Sequence, residues 1–306
     1  MFCCPGHVTC CTRWPAADAY HQRPMPPHLS LRTAILTLVT MIAFAGNSVL
    51  CRMALKHTTI DAATFTSIRL VSGAVVLWLI VRFARAGREG AGNWWSALAL
   101  FVYAAGFSWA YVSLSAATGA LLLFGSVQAT MIGRGIWQGE RLARLQWLGL
   151  VLALAGLVGL MLPGLAAPPL LGAALMMFAG AAWGVYSLRG KGAGDPTWVT
   201  AGNFWRAALL AVVLSAWMHT RANWDTEGVA YAVASGAVTS GLGYALWYSV
   251  LPALKASQAA TIQLSVPVIA ALGGVALLGE VMTEQFVWAS VATLGGIALV
   301  IWGKRS

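Results

Sequence analysis

The chain contains one long apolar stretch twice, and this repetition decides the fold. The two copies read LSAATGALLLFGSVQATMIGRGIWQGERLARLQWLGLVLALAGLVGLML (114–162) and LKASQAATIQLSVPVIAALGGVALLGEVMTEQFVWASVATLGGIALVIW (254–302). They align without a gap at an offset of 140 residues, and a Gly-Glu pair occupies the same position in each, at 139–140 and at 279–280. In both copies this pair separates two apolar runs of helical length, so each copy predicts two successive hydrophobic helices.

The repetition continues upstream of these copies. FTSIRLVSGAVVLWL (65–79) resembles NFWRAALLAVVLSAW (203–217) and brings Arg69 onto Arg206. Apolar runs bounded by Gly, Pro and charged residues predict five spans in each half of the chain. They are 33–54, 62–83, 94–114, 117–138 and 146–162 in the first half, and 169–188, 197–218, 228–250, 256–278 and 285–302 in the second.

The composition indicates a membrane protein. Of the 306 residues, 59% are hydrophobic and 9% are charged, whereas a soluble domain carries about 25% charged residues. Apolar runs long enough to cross a hydrocarbon layer of about 30 Å recur along the whole chain. The formal charge of +10 comes from basic residues spread over short loops. This distribution argues against nucleic-acid binding, because a nucleic-acid site gathers basic residues on one face.

Five spans in each half predict an inverted repeat. Because five is odd, the second half starts on the opposite side of the membrane from the first, an arrangement typical of secondary transporters. The predicted fold class is therefore all-α: a polytopic membrane protein with ten transmembrane helices in two inverted five-helix repeats. The predicted domains are a disordered cytoplasmic N-terminal tail (1–30), a first five-helix repeat (31–164) and a second five-helix repeat (168–304).

The distribution of lysine and arginine predicts the orientation, because basic residues are retained on the cytoplasmic side of a membrane. With the N-terminus inside, fourteen of the nineteen basic residues fall at cytoplasmic ends. Both termini are therefore predicted to be cytoplasmic. The outer loops SLSAATG (113–119) and PGLAAPP (163–169) carry no charge, in agreement with this orientation. The predicted location is the plasma membrane, which in bacteria is the inner membrane.

Four of the five cysteines lie near the N-terminus, at Cys3, Cys4, Cys10 and Cys11. Their spacing matches no standard zinc-ligand pattern, and they imply no disulfide framework. No metal or other cofactor is predicted. Because Met25 offers a second start, residues 1–24 are interpreted either as an over-extended start or as a translated tail.

The arrangement as a whole resembles the drug/metabolite transporter superfamily, specifically the ten-helix permeases built from two EamA-type repeats. The resemblance is carried by AFAGNS (43–48) and AAWGVYS (181–187) in the first span of each half, and by QGERL (138–142) and LGEVM (278–282) at the ends of the fourth spans. It extends over about residues 31–304. It implies a polar cavity lined mainly by spans one, three, four, six, eight and nine, and export or exchange of amino acids or similar metabolites.

Charged residues inside the membrane are the first candidates for a site. All nine acidic residues lie in predicted tails, loops or span ends, which argues against a carboxylate relay for cationic drugs. Arg69 and Arg206 lie within spans, where a charge needs a partner. Each has two interpretations: it attracts a substrate carboxylate, or it bonds backbone carbonyls and fixes helix packing. Glu140 and Glu280 also have two, a gate contact or a solvated helix end.

Uncharged polar and aromatic residues in the lining spans complete the predicted site. Such residues suit a mostly apolar molecule with a few polar groups. Each also has a purely structural interpretation, because Asn and Gln often hold helices together. The predicted substrate-binding residues are Asn47, Tyr103, Gln128, Trp183, Tyr244, Gln263, Arg206 and Arg69.

The sequence contains no enzymatic motif of the H-E-x-x-H, G-x-S-x-G or phosphate-loop type, so a non-enzyme is predicted. The predicted function is a membrane transporter that moves a small metabolite by alternating access, with export of amino acids or related compounds as the preferred activity. The alternatives are a passive channel or facilitator and a multidrug efflux carrier. The predicted partners are a small-molecule substrate and the lipid bilayer, and the protein is a monomer or a homodimer.

Overall fold

The computed structural model describes residues 31–83, 90–139, 141–162, 167–190, 193–254, 259 and 262–303. Within these ranges ten main helices follow one another, and no strand is present. The first five are α1 (Leu31–His57), α2 (Ala62–Phe83), α3 (Trp94–Tyr111), α4 (Ala116–Trp137) and α5 (Arg144–Met161). The second five are α6 (Leu170–Gly190), α7 (Pro196–Trp217), α8 (Thr226–Ala253), α9 (Ser265–Leu278) and α10 (Glu284–Gly303).

The predicted membrane fold is confirmed. Eight of the helices are long and apolar enough to cross a bilayer, and α9 is a shorter apolar helix. The remaining helix, α3, has 18 residues and opens with Trp94 and Trp95, as expected where a helix meets the membrane interface. The chain is therefore an integral, polytopic, all-α membrane protein.

The ninth predicted span is interrupted in the structure. The sequence predicts one span over 256–278 with a kink or local opening at Pro267. Ala259, Ile262 and Gln263 are helical, a turn follows at Leu264, and helix α9 begins at Ser265. Pro267 is the third residue of this helix. A proline is tolerated there because the first N–H groups of a helix have no intrahelical partner to lose. Residues 255–258 and 260–261 lie outside the described ranges.

The helix contacts repeat between the two halves. Helix α3 packs on α6, and its counterpart α8 packs on α1; likewise α4 packs on α6, and α9 packs on α1. Three pairs join a helix to its own counterpart: α2 with α7, α4 with α9, and α5 with α10. Exchanging the halves therefore maps this set of contacts onto itself. Because each five-helix bundle has an odd number of crossings, the two bundles are inverted relative to each other.

Small residues bring α5 and α10 into backbone contact. A β-carbon on Gly156 would lie 2.5 Å from Thr293 Oγ1 and 2.8 Å from the carbonyl oxygen of Ala289. A β-carbon on Gly296 would meet the backbone of α5 at a similar distance. Such small-residue faces let membrane helices approach closely. The sequence places Gly159 on the same face, but in the structure a side chain at that position has open space.

Asp61 joins the connections that precede α2 and α8. Its carboxylate accepts hydrogen bonds from the backbone N–H groups of Ala63 and Thr64 at 2.9 and 3.0 Å, and from that of Asn223 at 3.0 Å. Partial burial raises the pKa of this carboxyl, but hydrogen bonds to its charged form outweigh burial and hold the pKa below its usual value. The carboxylate therefore caps α2 and links the two halves at one end of the bundle.

We expect Gly156→Leu to destabilise the folded protein by roughly 1–3 kcal/mol, because the new side chain overpacks against the backbone of α10. The matched control is Gly159→Leu, one turn away on the same helix, where a side chain has open space. Thermal unfolding of the purified variants in detergent measures the difference. Equal melting temperatures for the two variants would contradict the close α5–α10 contact.

Candidate functional site

Five helices from both halves bring polar and aromatic side chains together near their midpoints. We call this set the central cluster. It combines one charged group, four uncharged polar groups and a row of aromatic rings. Its members are Phe44 and Asn47 on α1, Arg69 on α2, Tyr103 and Phe107 on α3, Trp183 on α6, and Ser235, Thr239, Ser240 and Tyr244 on α8.

Arg69 supplies the charge of the cluster and is only 2% exposed. Its Nη2 donates a hydrogen bond to the Tyr103 hydroxyl at 3.0 Å, and its Nε lies 3.5 Å from Ser240 Oγ. The guanidinium carbon lies 4.8 Å from the ring centroid of Phe107, a favourable cation–π distance. Within the described part of the chain, Nη1 is buried without a hydrogen-bond partner. These contacts are all with uncharged groups.

Asn47 connects α1 to α3 and α8. Its Oδ1 accepts hydrogen bonds from Ser235 Oγ at 2.7 Å and from Thr239 Oγ1 at 3.3 Å. Its Nδ2 lies 3.5 Å from the Tyr103 hydroxyl, the same hydroxyl that Arg69 bonds. One polar network therefore joins four helices, α8, α1, α3 and α2, at the centre of the bundle.

The contribution of α8 to this network depends on its backbone conformation. The segment Ala234–Leu242 is π-helical, a conformation that is rare and frequent at functional sites. Gly236 lies in this segment, and a β-carbon there would overlap the Ser72 hydroxyl and the carbonyl oxygen of Arg69. Only glycine permits this approach of α8 to α2. The close approach lets Ser240 come within reach of the guanidinium.

Aromatic rings form a continuous row beside Arg69. The ring centroid of Trp183 lies 4.8 Å from that of Tyr103 and 5.2 Å from that of Tyr244. Tyr244 in turn lies 5.6 Å from Phe44. Rings at these distances attract each other, so the row is packed together. A substrate that enters between the rings has to separate them.

The structure brings five of the eight predicted site residues into the central cluster: Asn47, Arg69, Tyr103, Trp183 and Tyr244. All five lie well inside their helices, and four of them are on helices that the resemblance implies line the cavity; Arg69 is on α2. The other three predicted residues lie elsewhere in the bundle.

Arg206 is one of these three. Its Nη1 donates hydrogen bonds to the carbonyl oxygens of Ala91 at 2.6 Å and Gly202 at 2.9 Å, and its guanidinium carbon lies 5.9 Å from the Trp94 ring centroid. This geometry corresponds to the packing interpretation of Arg206, because the long side chain reaches the connection before α3. A role of Arg206 in substrate binding stays a prediction.

Gln128 and Gln263 are also separated from the cluster. Gln128 is buried and lines a crevice between α4, α5 and α10, together with Leu150 and Val300. Gln263 is partly buried and lies two residues before α9 begins. The helical face of a glutamine cannot be assigned from an all-apolar span, because neighbours of similar hydropathy surround it on every side. Substrate contact by these two residues stays a prediction.

Five members of the cluster are absent from the predicted site: Phe44, Phe107, Ser235, Thr239 and Ser240. Serine and threonine in an apolar helix usually bond their own backbone, and Thr239 does so as well. The π-helical turn that aims these hydroxyls has no distinct sequence pattern. The available signal is the small-residue run ASGAVTSGLG at 234–243, which marks a place of close helix approach.

One end of the bundle, where α3 finishes and α4 begins, is here called the α3–α4 end. Arg52 Nε lies 3.7 Å from Glu280 Oε1, and the Glu280 carboxylate accepts the backbone N–H of Ala116 at 2.9 Å. Arg52 Nη1 also donates to the carbonyl oxygens of Tyr111 and Val112 at the end of α3. These contacts close the α3–α4 end between α1, α4 and the segment after α9.

The Glu280 side chain is 9% exposed, so its interpretation as a solvated helix end is wrong. Its carboxylate lies at the positive end of the α4 dipole as well as beside Arg52. Glu140, the counterpart of Glu280 in the first half, lies outside the described residues. A cavity of about 220 Å³ opens at the same end and is lined in part by Glu280, Ser115 and Thr118.

The described residues contain no group of three His, Cys, Asp or Glu side chains that could hold a metal ion. The N-terminal cysteines lie outside the described ranges. In the central cluster, the groups available to a ligand are therefore one guanidinium, one amide, hydroxyls and aromatic faces. This set can bind and orient a small molecule, and it contains no carboxylate.

A ten-helix bundle of two inverted repeats with a polar and aromatic centre is the architecture of a membrane carrier. The EamA-like transporter family matches the chain twice, at residues 31–162 and 170–302. The chain belongs to the EamA-like transporter family. An uncharacterized protein of Pseudomonas aeruginosa is 55% identical over 271 residues, which cover 88% of this chain and 94% of that protein. A solved crystal structure has the same fold, with a TM-score of 0.63 and 16% identity over 90% of this chain and 99% of the other.

We expect Tyr103→Phe to lower the free energy of unfolding by about 1–3 kcal/mol, because it removes the buried oxygen that accepts from Arg69 and contacts Asn47. The matched control is Tyr231→Phe, which removes a hydroxyl that donates to Glu227 at the exposed start of α8. Thermal unfolding in detergent compares the two. A Tyr103→Phe variant as stable as the control would contradict the network.

Proposed function

We propose that this protein is a carrier that exports amino acids or related small metabolites by alternating access, with the central cluster as its substrate site. Membership in the EamA-like transporter family identifies it as a drug/metabolite transporter. The observation that carries the finer proposal is the cluster itself: a buried guanidinium, an amide, hydroxyls and an aromatic row, supplied by both halves at the middle of the bundle.

The proposed site residues are Asn47, Arg69, Tyr103, Trp183 and Tyr244. Their mix of polar groups and ring faces suits a molecule with one polar end and an apolar body. The cluster contains no carboxylate, histidine or paired nucleophile and base, and this favours binding over catalysis. We therefore propose a non-enzymatic carrier.

Two features support alternating access. The contacts between helices repeat when the halves are exchanged, so a conformation closed at one end has a related conformation closed at the other. At the α3–α4 end, Arg52 and Glu280 close the path to the cluster. In the proposed cycle this end faces the outside of the cell and opens for release.

The proposed location is the plasma membrane, with both termini cytoplasmic. This orientation places the end opposite the α3–α4 end inside the cell. Basic side chains gather there, at the helix ends Arg32, Arg82, Arg134, Arg144 and Arg189, as expected for a cytoplasmic face.

The function is tested by overexpressing the protein in cells challenged with amino acids, their analogues and cationic dyes. We expect protection against amino-acid analogues. Trp183→Ala should abolish it, because the ring of Trp183 contacts two other cluster rings. The matched control is Trp217→Ala, at the exposed end of α7, which should protect like the wild type. Protection against lipophilic cations alone would favour a multidrug carrier instead.

Reconstituted vesicles separate a carrier from a passive channel. A carrier gives saturable flux that a counter-substrate on the opposite side stimulates, because its site must return after each crossing. A channel or facilitator without that return step gives flux that does not saturate in the same way. Non-saturating conductance through the purified protein would contradict the alternating-access proposal.

We expect Glu280→Gln to open the α3–α4 end more often, because it removes the charge that pairs with Arg52. Cys51, fully buried beside Arg52, reports this opening. If the variant lowers the stability of the closed state by about 1 kcal/mol, the open state becomes roughly fivefold more populated. The rate of Cys51 modification by an impermeant thiol reagent should rise by the same factor. The measurement uses a background with serine at Cys3, Cys4, Cys10 and Cys11.

The matched control for this measurement is Glu227→Gln. It removes an acidic charge at the same end of the bundle, where Glu227 accepts a hydrogen bond from Tyr231 within α8. Its rate of Cys51 modification should equal that of the parent. If Glu280→Gln and Glu227→Gln react at the same rate, the Arg52–Glu280 pair does not hold the α3–α4 end closed.

A further inference from the structure

We propose that the substrate is an organic monoanion, and that its carboxylate is the counter-charge that Arg69 lacks. This inference rests on the proposed function and, within its range of amino acids and related small metabolites, assigns the site to related carboxylate anions rather than to amino-acid zwitterions. It starts from a buried charge that nothing in the described part of the chain neutralises.

Arg69 carries a positive charge that no described acidic residue neutralises. Among the described residues, every acidic side chain lies at a helix end or in a connection, and the one ion pair joins Arg52 to Glu280. A buried arginine without a negative partner is strongly unfavourable in a membrane. The rings of Phe107 and Tyr103 attract the guanidinium but carry no net charge. The described acidic residues are Asp61, Asp195, Asp225, Glu227, Glu280 and Glu284.

Several N–H groups of the Arg69 guanidinium have no hydrogen-bond partner among the described residues. A guanidinium has five N–H groups. Nε is directed to Ser240, and one N–H of Nη2 to the Tyr103 hydroxyl. Nη1 is buried without a partner. Its N–H groups and the second N–H of Nη2 remain, and two parallel donors on neighbouring nitrogens match the two oxygens of a carboxylate.

The aromatic row indicates what the ligand carries besides its charge. The row begins at Tyr103, whose hydroxyl accepts from Arg69, and continues through Trp183 and Tyr244 to Phe44. A bare inorganic anion would make no use of these rings, whereas a flat apolar body attached to a carboxylate would pack against them. The Tyr103 hydroxyl accepts from Arg69, so its own O–H is available to donate to the ligand. The cluster thus matches an anionic head with an apolar or aromatic body.

Charge also ranks the candidate substrates. A monoanion neutralises Arg69 on binding. An amino-acid zwitterion brings an ammonium group that finds no carboxylate in the cluster, so the site keeps its net positive charge. A cation of the same shape adds a second positive charge. The expected order of affinity is anion, then zwitterion, then cation.

Three probes with the same phenyl body test this order: 3-phenylpropionate, phenylalanine and 2-phenylethylamine. Binding to the purified full-length protein in detergent is measured by isothermal titration calorimetry at pH 7. We expect 3-phenylpropionate to bind at least about tenfold more tightly than phenylalanine, which corresponds to about 1.4 kcal/mol, because only the monoanion neutralises the charge of Arg69. We expect 2-phenylethylamine not to bind measurably.

Variants then locate the effect. Arg69→Gln should weaken 3-phenylpropionate binding at least about tenfold, and Arg134→Gln, an exposed arginine of α4 that stacks on Trp137, is the matched control. Asn47→Asp supplies a resident carboxylate next to the Tyr103 hydroxyl that Arg69 bonds. It should keep the fold and also weaken 3-phenylpropionate binding. This second variant tests the charge argument if Arg69→Gln does not fold.

Several results would overturn the proposal. They are equal or tighter binding of phenylalanine or 2-phenylethylamine, binding of 3-phenylpropionate that neither Arg69→Gln nor Asn47→Asp weakens, and binding of none of the three probes. Loss of 3-phenylpropionate binding when chloride is added to a low-salt buffer would assign the site to an inorganic anion and also overturn it. A zwitterion preference together with saturable transport would leave the carrier function intact, whereas absence of any saturable transport would remove the carrier function itself.

Discussion

The position of Arg69 is the constraint on which the centre of this protein depends. A charged side chain at the middle of a membrane helix costs about 2.5–3.5 kcal/mol on insertion scales, and Arg69 is almost fully buried there. The protein surrounds it with the Tyr103 hydroxyl, Ser240 and the Phe107 ring. Each of these partners reaches Arg69 only if its helix packs close to α2 at the same depth in the membrane. The π-helical segment of α8 and its Gly236 allow this close packing.

The two halves share helix contacts but differ in the side chains at their centre. The sequence repeat brings Arg69 onto Arg206, yet Arg69 lies in the central cluster while Arg206 bonds the carbonyl oxygens of Ala91 and Gly202. From α7, Phe204 packs against Tyr244 and against Gly73, which lies one helical turn after Arg69 on α2. A small substrate has no twofold symmetry, so a site built from two similar halves has to become asymmetric to hold one polar end and one apolar body.

Much of the fold follows from the sequence, because in lipid every backbone group must be bonded within a helix and apolar length alone then reveals the spans. The turn at Leu264 lies three residues before Pro267, where the sequence predicts a local opening, but hydropathy does not change there and so does not mark the exact residue. Five of the predicted site residues lie together in the central cluster because polar and aromatic residues at mid-span are few. Gln128 lies apart from them, between α4, α5 and α10, because the sequence of a uniformly apolar helix does not show which face is turned inward.

Helix α1 couples the cluster to the closed end of the bundle. Asn47 bonds Ser235 and Thr239, and five residues later Arg52 bonds the end of α3 and pairs with Glu280. Five residues of helix span about 7.5 Å, so a rigid-body shift of α1 moves both contacts together. A ligand that shifts α1 by binding to the Asn47 network would therefore also shift the Arg52–Glu280 pair, because both residues of α1 move with the helix. In the proposed carrier, a movement of α1 as one body would link occupancy of the central cluster to closure of the α3–α4 end.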